Sequence, residues 1–264
     1  MSAIFKTITL KGRKIRQLVL LAVIVVLVVM LCLRLEVPQR VMQVVAAPEE
    51  RLVPIYYVET EEKKIAISFD ASWGAERTEQ LLETLRDEGI KTTFFLTGFW
   101  VEKYPEMVEK IAKEGHEIGN HTYSHPHLNN LGEKEIEKEV QKVHDMIEKL
   151  TEVAPTLFRP PFGEYSNKVI KVLDKMGYKT IQWSVDSLDW KDLSSEEITN
   201  RVLSGLHDGA IVLFHNNGKH TAHALPAIIQ GAREKGYTIV PISELIYHDN
   251  YTIDPHSGAQ IKKQ

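Results

Sequence analysis

The 264-residue chain has one cysteine, Cys32, so no internal disulfide can form and core burial must hold the fold. It lacks a basic excess as well: the formal net charge is -4 at pH 7, which argues against a nucleic-acid partner. No internal repeat or low-complexity tract is visible, and one large domain with extensions accounts for the length. Acids are absent from the first 16 residues, which carry Lys6, Lys11, Arg13, Lys14 and Arg16. Charge is absent altogether from Leu18 to Leu33.

A membrane-spanning helix takes about 20 apolar residues, with a lower limit of roughly 17. Tilt, and snorkelling of Arg34, close the remaining gap. A signal-peptide core is shorter, about 7–15 residues. The small residues Val44-Val45-Ala46-Ala47 offer a cleavage point, but they lie well beyond the apolar run. The expectation is therefore an uncleaved anchor, with secretion as the alternative if the segment is removed. Residues 1–17 are then a basic cytoplasmic N-terminus and 18–37 the transmembrane anchor or signal segment. By the positive-inside rule everything after them is extracytoplasmic. Residues 38–63, with Pro38, Pro48 and Pro54, read as a stalk, and 249–264 as a polar tail.

The pattern between them, 64–248, is that of one domain. Ile65-Ala66-Ile67-Ser68-Phe69 reads as a strand ending at Asp70. Further strands are expected at Thr92–Leu96, Glu117–Gly119, Leu157–Phe158, Tyr178–Val185, Ala210–Phe214 and Tyr237–Val240. Helices are expected at Glu76–Glu88, Val101–Lys113, Glu133–Leu150, Asn167–Lys175, from Ser194 to about Leu206, and Leu225–Glu234. Ser194 with Glu197 has capping-box spacing. This alternation implies a parallel α/β architecture, an open sheet or a barrel. Functional residues of such folds gather at the C-terminal strand ends. Asp70, His121, Arg159, Asp186 and His215 all fall there.

His121-Thr122-Tyr123-Ser124-His125 spaces two imidazoles to share one metal if the segment forms a helical turn, although Pro126 disfavours helix at His125. His116, Glu117 and His121 miss the zinc-protease spacing by one residue. His220 and His223 adjoin a helix start and are expected to face solvent. In Arg159-Pro160-Pro161-Phe162-Gly163 a rigid loop presents an arginine able to fix a carboxylate. The run from Trp183 to Trp190 joins Asp186 and Asp189 to two indoles, a combination suited to a sugar ring and equally to a packed corner. His215 closes an apolar strand and needs a partner acid to serve as a proton donor.

Ser68-Phe69-Asp70, HTYSH at 121–125, RPPFG at 159–163, DSLDW at 186–190 and LFH at 213–215 occur in the order of the motifs of the polysaccharide deacetylase, or NodB, family. The chain resembles that family from about Lys64 to Tyr247. With its N-terminal segment and FDASWG, it looks most like the sporulation-associated PdaB-like branch. The resemblance implies a distorted (β/α) barrel of about seven strands, and removal of acetyl groups from N-acetylated sugars such as those of peptidoglycan or chitin. It implies a cell-wall glycan as substrate and His121 and His125 as ligands of a divalent metal, zinc first, with cobalt or manganese as alternatives. Asp70 would be the general base, oriented by Arg159. His215 would be the general acid, oriented by Asp189 or, in reserve, Asp186. Trp190 and Leu213 would shape the pocket for the acetyl methyl, with Pro161, Phe162 and Trp73 as further substrate contacts.

One departure stands out. The family has two consecutive aspartates in its first motif, the second a metal ligand; here Ala71 follows Asp70, and a methyl cannot coordinate. Asp70 then binds the metal itself, or the imidazoles hold it with waters and His127, or the chain is a non-catalytic glycan-binding relative.

Overall fold

The computed structural model describes residues 2–34 and 50–263, with side chains of the first helix described over 15–31. The chain forms two compact units, Met1–Glu50 and Arg51–Gln264. The first contains helix α1, Ser2–Arg34. Its side chains are exposed throughout 15–31. Among the described residues no helix is long and apolar enough to cross a membrane. The cleavage segment at 44–47 lies outside the described residues.

The second unit runs β1 (Tyr57–Val58), β2 (Lys64–Ala71), α2 (Thr78–Asp87), β3 (Thr93–Leu96), α3 (Gly98–Lys103), α4 (Pro105–Lys113), β4 (Glu117–Asn120), α5 (Glu133–Thr151), β5 (Leu157–Phe158) and α6 (Asn167–Lys175). It continues with β6 (Lys179–Thr180), β7 (Val185–Asp186), α7 (Ser195–Gly205), β8 (Ile211–His215), α8 (Thr221–Glu234), β9 (Thr238–Ile239), α9 (Ile242–Leu245), β10 (Tyr251–Ile253) and β11 (Ala259–Lys262). Seven strands lie in the order β6-β5-β4-β3-β2-β8-β7, and β9 pairs with the start of β2. Every pairing in this sheet is parallel. The strands curl into a half-barrel, the parallel α/β form expected.

β2 is buried on both faces along nearly its whole length, as a central parallel strand must be, and its sequence is correspondingly apolar. Phe69 stacks on Phe94 at 4.9 Å and on Phe214 at 5.7 Å, tying β2 to both neighbours. Register then places the chemistry. Asp70 lies opposite Phe95 on one side and His215 on the other, and Leu96 lies opposite Asn120, the residue before His121. The ends of β2, β3, β4 and β8 therefore meet at one rim.

Several boundaries differ from the expectation. The helix expected over Val101–Lys113 breaks at Tyr104, because Pro105 has no N–H to continue the ladder and instead starts α4. The strand expected over Tyr178–Val185 splits into β6 and β7, the two ends of the sheet order. Between them the backbone turns aside to bond Ile55, with Gln182 N donating to Ile55 O at 2.7 Å. The stalk accordingly does not extend to 63: Val53, Ile55 and Val58 are buried, and β1 pairs with β11. Nor is 249–264 a free tail, since β10 and β11 form a small sheet with β1. Ser194 caps α7 with Glu197 as expected.

Candidate active site

Arg159, directly after β5, is wholly buried, and Asp70 is 6% exposed. A buried guanidinium must find a counter-charge and acceptors. Arg159 Nη1 donates to Asp70 Oδ1 at 2.8 Å, and Nη2 donates to Ser68 Oγ at 2.9 Å and to the Gln182 carbonyl at 3.2 Å. Its planar head lies 4.2 Å from the Phe95 ring centre. Burial alone would push the Asp70 carboxyl up. The Arg159 charge, with smaller contributions from His121 and His215, outweighs burial and holds it below its usual range. Asp70 is thus ionised, with Oδ1 tied and Oδ2 facing the site.

His121 follows β4 and is 2% exposed. Its Nδ1 sits 2.7 Å from the Arg159 carbonyl oxygen. A carbonyl only accepts, so Nδ1 carries the proton and Nε2 presents a lone pair. That lone pair faces Asp70 Oδ2 at 3.6 Å. Burial, aided by the Arg159 and His215 charges, lowers the proton affinity of the ring despite Asp70 and the carbonyl. His125 is not on a helical turn with His121. It sits in a turn at φ 55°, with the rings edge to face at 5.0 Å. Burial, then the neighbouring His121, pushes His125 down to about 4, so it too is a neutral donor at pH 7.

His215 ends β8. Its Nδ1 bonds Asp189 Oδ1 at 2.8 Å, and its backbone N donates to Asp189 Oδ2 at 2.8 Å. Burial pulls the imidazole down, but the hydrogen bond and charge of Asp189, with Asp70 and Asp186 beyond, raise it overall. Of the two candidate acids it is Asp189 that bonds His215. Asp186, the reserve, spends Oδ1 on the Leu188 N–H at 2.9 Å. Leu188 at φ 53° reverses the chain between them and turns Asp189 inward.

These groups open onto a cavity of about 520 Å³ lined by Asp70, Ser72, Trp73, His121, His125, Phe162, Gly163, Trp183, Asp186, Trp190, Leu213, His215 and Asn217. Nine of the expected site residues thus share one cavity. Arg159, Asp189 and Pro161 are buried and do not line it. Trp73, Phe162 and Trp190 are each more than half exposed around it, a rim suited to the apolar faces of sugar rings. His127 is outside: its ring stacks on Phe162 at 4.3 Å and bonds Glu164 at 3.0 Å. Neither His220 nor His223 lines the cavity. His116 is remote as well, its Nδ1 accepting from Thr92 N at 3.2 Å. Sequence reasoning missed Gln182 and Asn216. Asn216 and Trp100 both donate to the Gly74 carbonyl, at 2.8 and 2.7 Å, and so fix the turn that carries Trp73.

The donor set accords with a divalent cation in one respect. The His121 lone pair and the Asp70 carboxylate repel each other unless a positive charge lies between them, and the Nδ1–carbonyl bond is the usual brace of a metal-binding imidazole. Yet Ala71 is fully buried. Among the described residues no group of three or more His, Cys, Asp or Glu is arranged to hold a metal ion. The residues present suit a cation held by few protein ligands.

Residues 57–181 match the family model described as polysaccharide deacetylase. The chain is 36% identical over 193 residues to the uncharacterized protein YlxY of Bacillus subtilis, covering 73% of this chain and 60% of that protein. It is 38% identical over 186 residues to a peptidoglycan-N-acetylglucosamine deacetylase of Bacillus cereus, covering 69% of this chain and 68% of the relative. A crystal structure of a Bacillus anthracis protein, described as a CE4 family pseudoenzyme, superposes with a TM-score of 0.71 at 36% identity, over 73% of this chain and 68% of that one. A mutant of that pseudoenzyme, described as having restored enzymatic activity, gives the same TM-score of 0.71 at 37% identity, over 73% of this chain and 71% of that one.

Proposed function

Because this chain belongs to the polysaccharide deacetylase family, we propose that it hydrolyses N-acetyl groups on the sugars of a cell-wall glycan, peptidoglycan or chitin-like. One observation carries the reading: an ionised carboxylate and an imidazole of raised proton affinity, Asp70 and His215, face one cavity from adjacent strands, each held by its own buried partner. A pure binding site has no need of such a pair. Asp70 takes a proton from water as the water oxygen attacks the amide carbon. His215, held protonated by Asp189, then gives its Nε2 proton to the sugar nitrogen as the C–N bond breaks, and acetate leaves. Trp190 and Leu213 enclose the acetyl methyl, while Trp73 and Phe162 bear on the sugar faces. A divalent metal at His121 and His125, with zinc the first choice and cobalt or manganese the alternatives, would polarise the amide carbonyl and acidify water.

Ala71, and the likeness to a pseudoenzyme, favour a second reading, a non-catalytic glycan binder. Acetate release from N-acetylglucosamine oligomers with added zinc, cobalt or manganese separates the two. Saturable sugar binding with no acetate under any metal identifies the binder. Ala71→Asp adds a carboxylate at the end of β2, directly after Asp70. The expected result is at least ~10-fold tighter zinc retention, with a melting temperature lowered in chelator and raised by zinc. Zinc retention equal to wild type shows instead that residue 71 points into the core.

The folded unit is, on this proposal, extracytoplasmic and tethered through 18–37, with the sporulation role resting on the family likeness alone. The apolar side chains exposed along 15–31 and the basic segment before them support the tether. The full-length protein should sediment with membranes and resist carbonate extraction; recovery in the soluble fraction at full length contradicts the tether.

A further inference from the structure

The His215–Asp189 pair has a third member that no motif marks. Asp189 is 1% exposed, and its Oδ2 accepts from Thr221 Oγ1 at 2.6 Å as well as from His215 N. This is the length of a charge-assisted hydroxyl–carboxylate bond. Thr221 is itself fully buried, stands on the first turn of α8 and does not line the cavity. The other bonds to the Asp189 carboxylate come from His215 on β8, so the Thr221 hydroxyl adds a second element, α8, to its support. A carboxylate swings broadly about its last torsion, and an anchor from a helix removes that freedom.

The chain makes room for this bond. A Cβ at Gly218 would lie 2.1 Å from Thr221 Oγ1 and 2.8 Å from Asp189 Oδ2. Gly218 is not among the glycines with positive φ, so space rather than backbone conformation requires it. Gly218 N donates to His215 O and Thr221 N to Gly218 O, which closes a compact loop from the imidazole back to its support.

We propose that Thr221 is a positioning residue for proton transfer: its hydroxyl, in the space left by Gly218, fixes Asp189 so that the carboxylate holds the His215 ring toward the cavity. This rests on the deacetylase reading. Thr221→Val keeps the shape and removes the hydroxyl. The expected result in the full-length protein supplied with zinc is a kcat about 10-fold lower at nearly unchanged KM, the scale of losses when an orienting partner is removed. Thr221→Ser should restore most of it. In nitrogen-15 spectra of the histidine side chains, with His215 assigned by its loss in His215→Gln, the His215 Nδ1 signal should move in Thr221→Val and return in Thr221→Ser. Unchanged kcat and an unmoved signal overturn the proposal. So does a Thr221→Ser variant as impaired as Thr221→Val, which marks a packing role. If the valine variant does not fold, Thr221→Ala carries the same comparison. If the wild type releases no acetate with any metal, the deacetylase reading falls and the spectra alone decide: an unmoved His215 signal overturns the positioning role, and a moved one supports it.

Discussion

Replacing Arg159 by methionine is expected to destabilise the Arg51–Gln264 unit by about 3–5 kcal/mol, the cost of breaking a buried pair by removing one partner. Methionine fills much of the volume but leaves Asp70, 6% exposed, without its counter-charge. It also leaves the Ser68 hydroxyl and the Gln182 carbonyl without the Nη2 donor. Arg159→Lys should recover little, because one ammonium cannot reproduce a planar fork that serves three partners across two nitrogens. The pH dependence has a definite sign. With Arg159 present the Asp70 pKa lies below its ordinary 3.8, so the pair's contribution is full above that value and is lost as pH falls through the folded pKa. Without Arg159 burial dominates and the Asp70 pKa rises. The penalty should then shrink on acidification, as Asp70 takes up a proton. Urea unfolding of wild type and Arg159→Met at several pH values measures this. A difference under 1 kcal/mol at pH 7 means the pair is not buried as described.

Replacing His215 by glutamine is expected to lower kcat by roughly 10²–10⁴, the contribution of a positioned general acid, with little change in folding. Glutamine keeps a polar side chain near Asp189 but has no proton to give the departing nitrogen. The wild-type profile should be bell-shaped in directions set by the two groups. Activity needs Asp70 ionised, and its lowered pKa puts the acid limb below 3.8. It needs His215 protonated, and the raised pKa puts the alkaline limb above 6.5. Asp189→Asn should move the alkaline limb toward lower pH, since the bond and the charge that raise His215 are both weakened. An alkaline limb below 6.5 in the wild type contradicts the assignment of His215 as the acid.

Much of this was legible in the sequence because the signals are coarse and local. An apolar run that stops at a charged residue marks a strand end, and in a parallel sheet all strand ends of one sense share a rim. Asp70, His121, Arg159, Asp186 and His215 followed from that alone. What was not legible depended on where the chain turns. Asp186 and Asp189 are equivalent by composition, and only the left-handed Leu188 between them decides which carboxylate reaches His215. His127 lies two residues from His125, yet His125 itself sits at positive φ and sends the following chain toward Glu164. The partners of the Arg159 head include a main-chain carbonyl at 182, which no side-chain pattern encodes. Residues 51–63 and 249–264 read as polar connectors because their strands are short and need each other: β1 has only two residues, and its main partner, β11, comes 200 residues later in the chain.

The central claim is that Asp70 and His215 form a working base and acid around one bound sugar. Its most direct measurement is the rate of acetate release from N-acetylglucosamine oligomers and cell-wall glycan at pH 7 with saturating zinc, for wild type, Asp70→Asn and His215→Gln side by side. The account predicts acetate from the wild type and a loss of at least ~10²-fold in each variant, with glycan binding retained. Equal acetate from all three, or none from the wild type with zinc, cobalt or manganese, contradicts it.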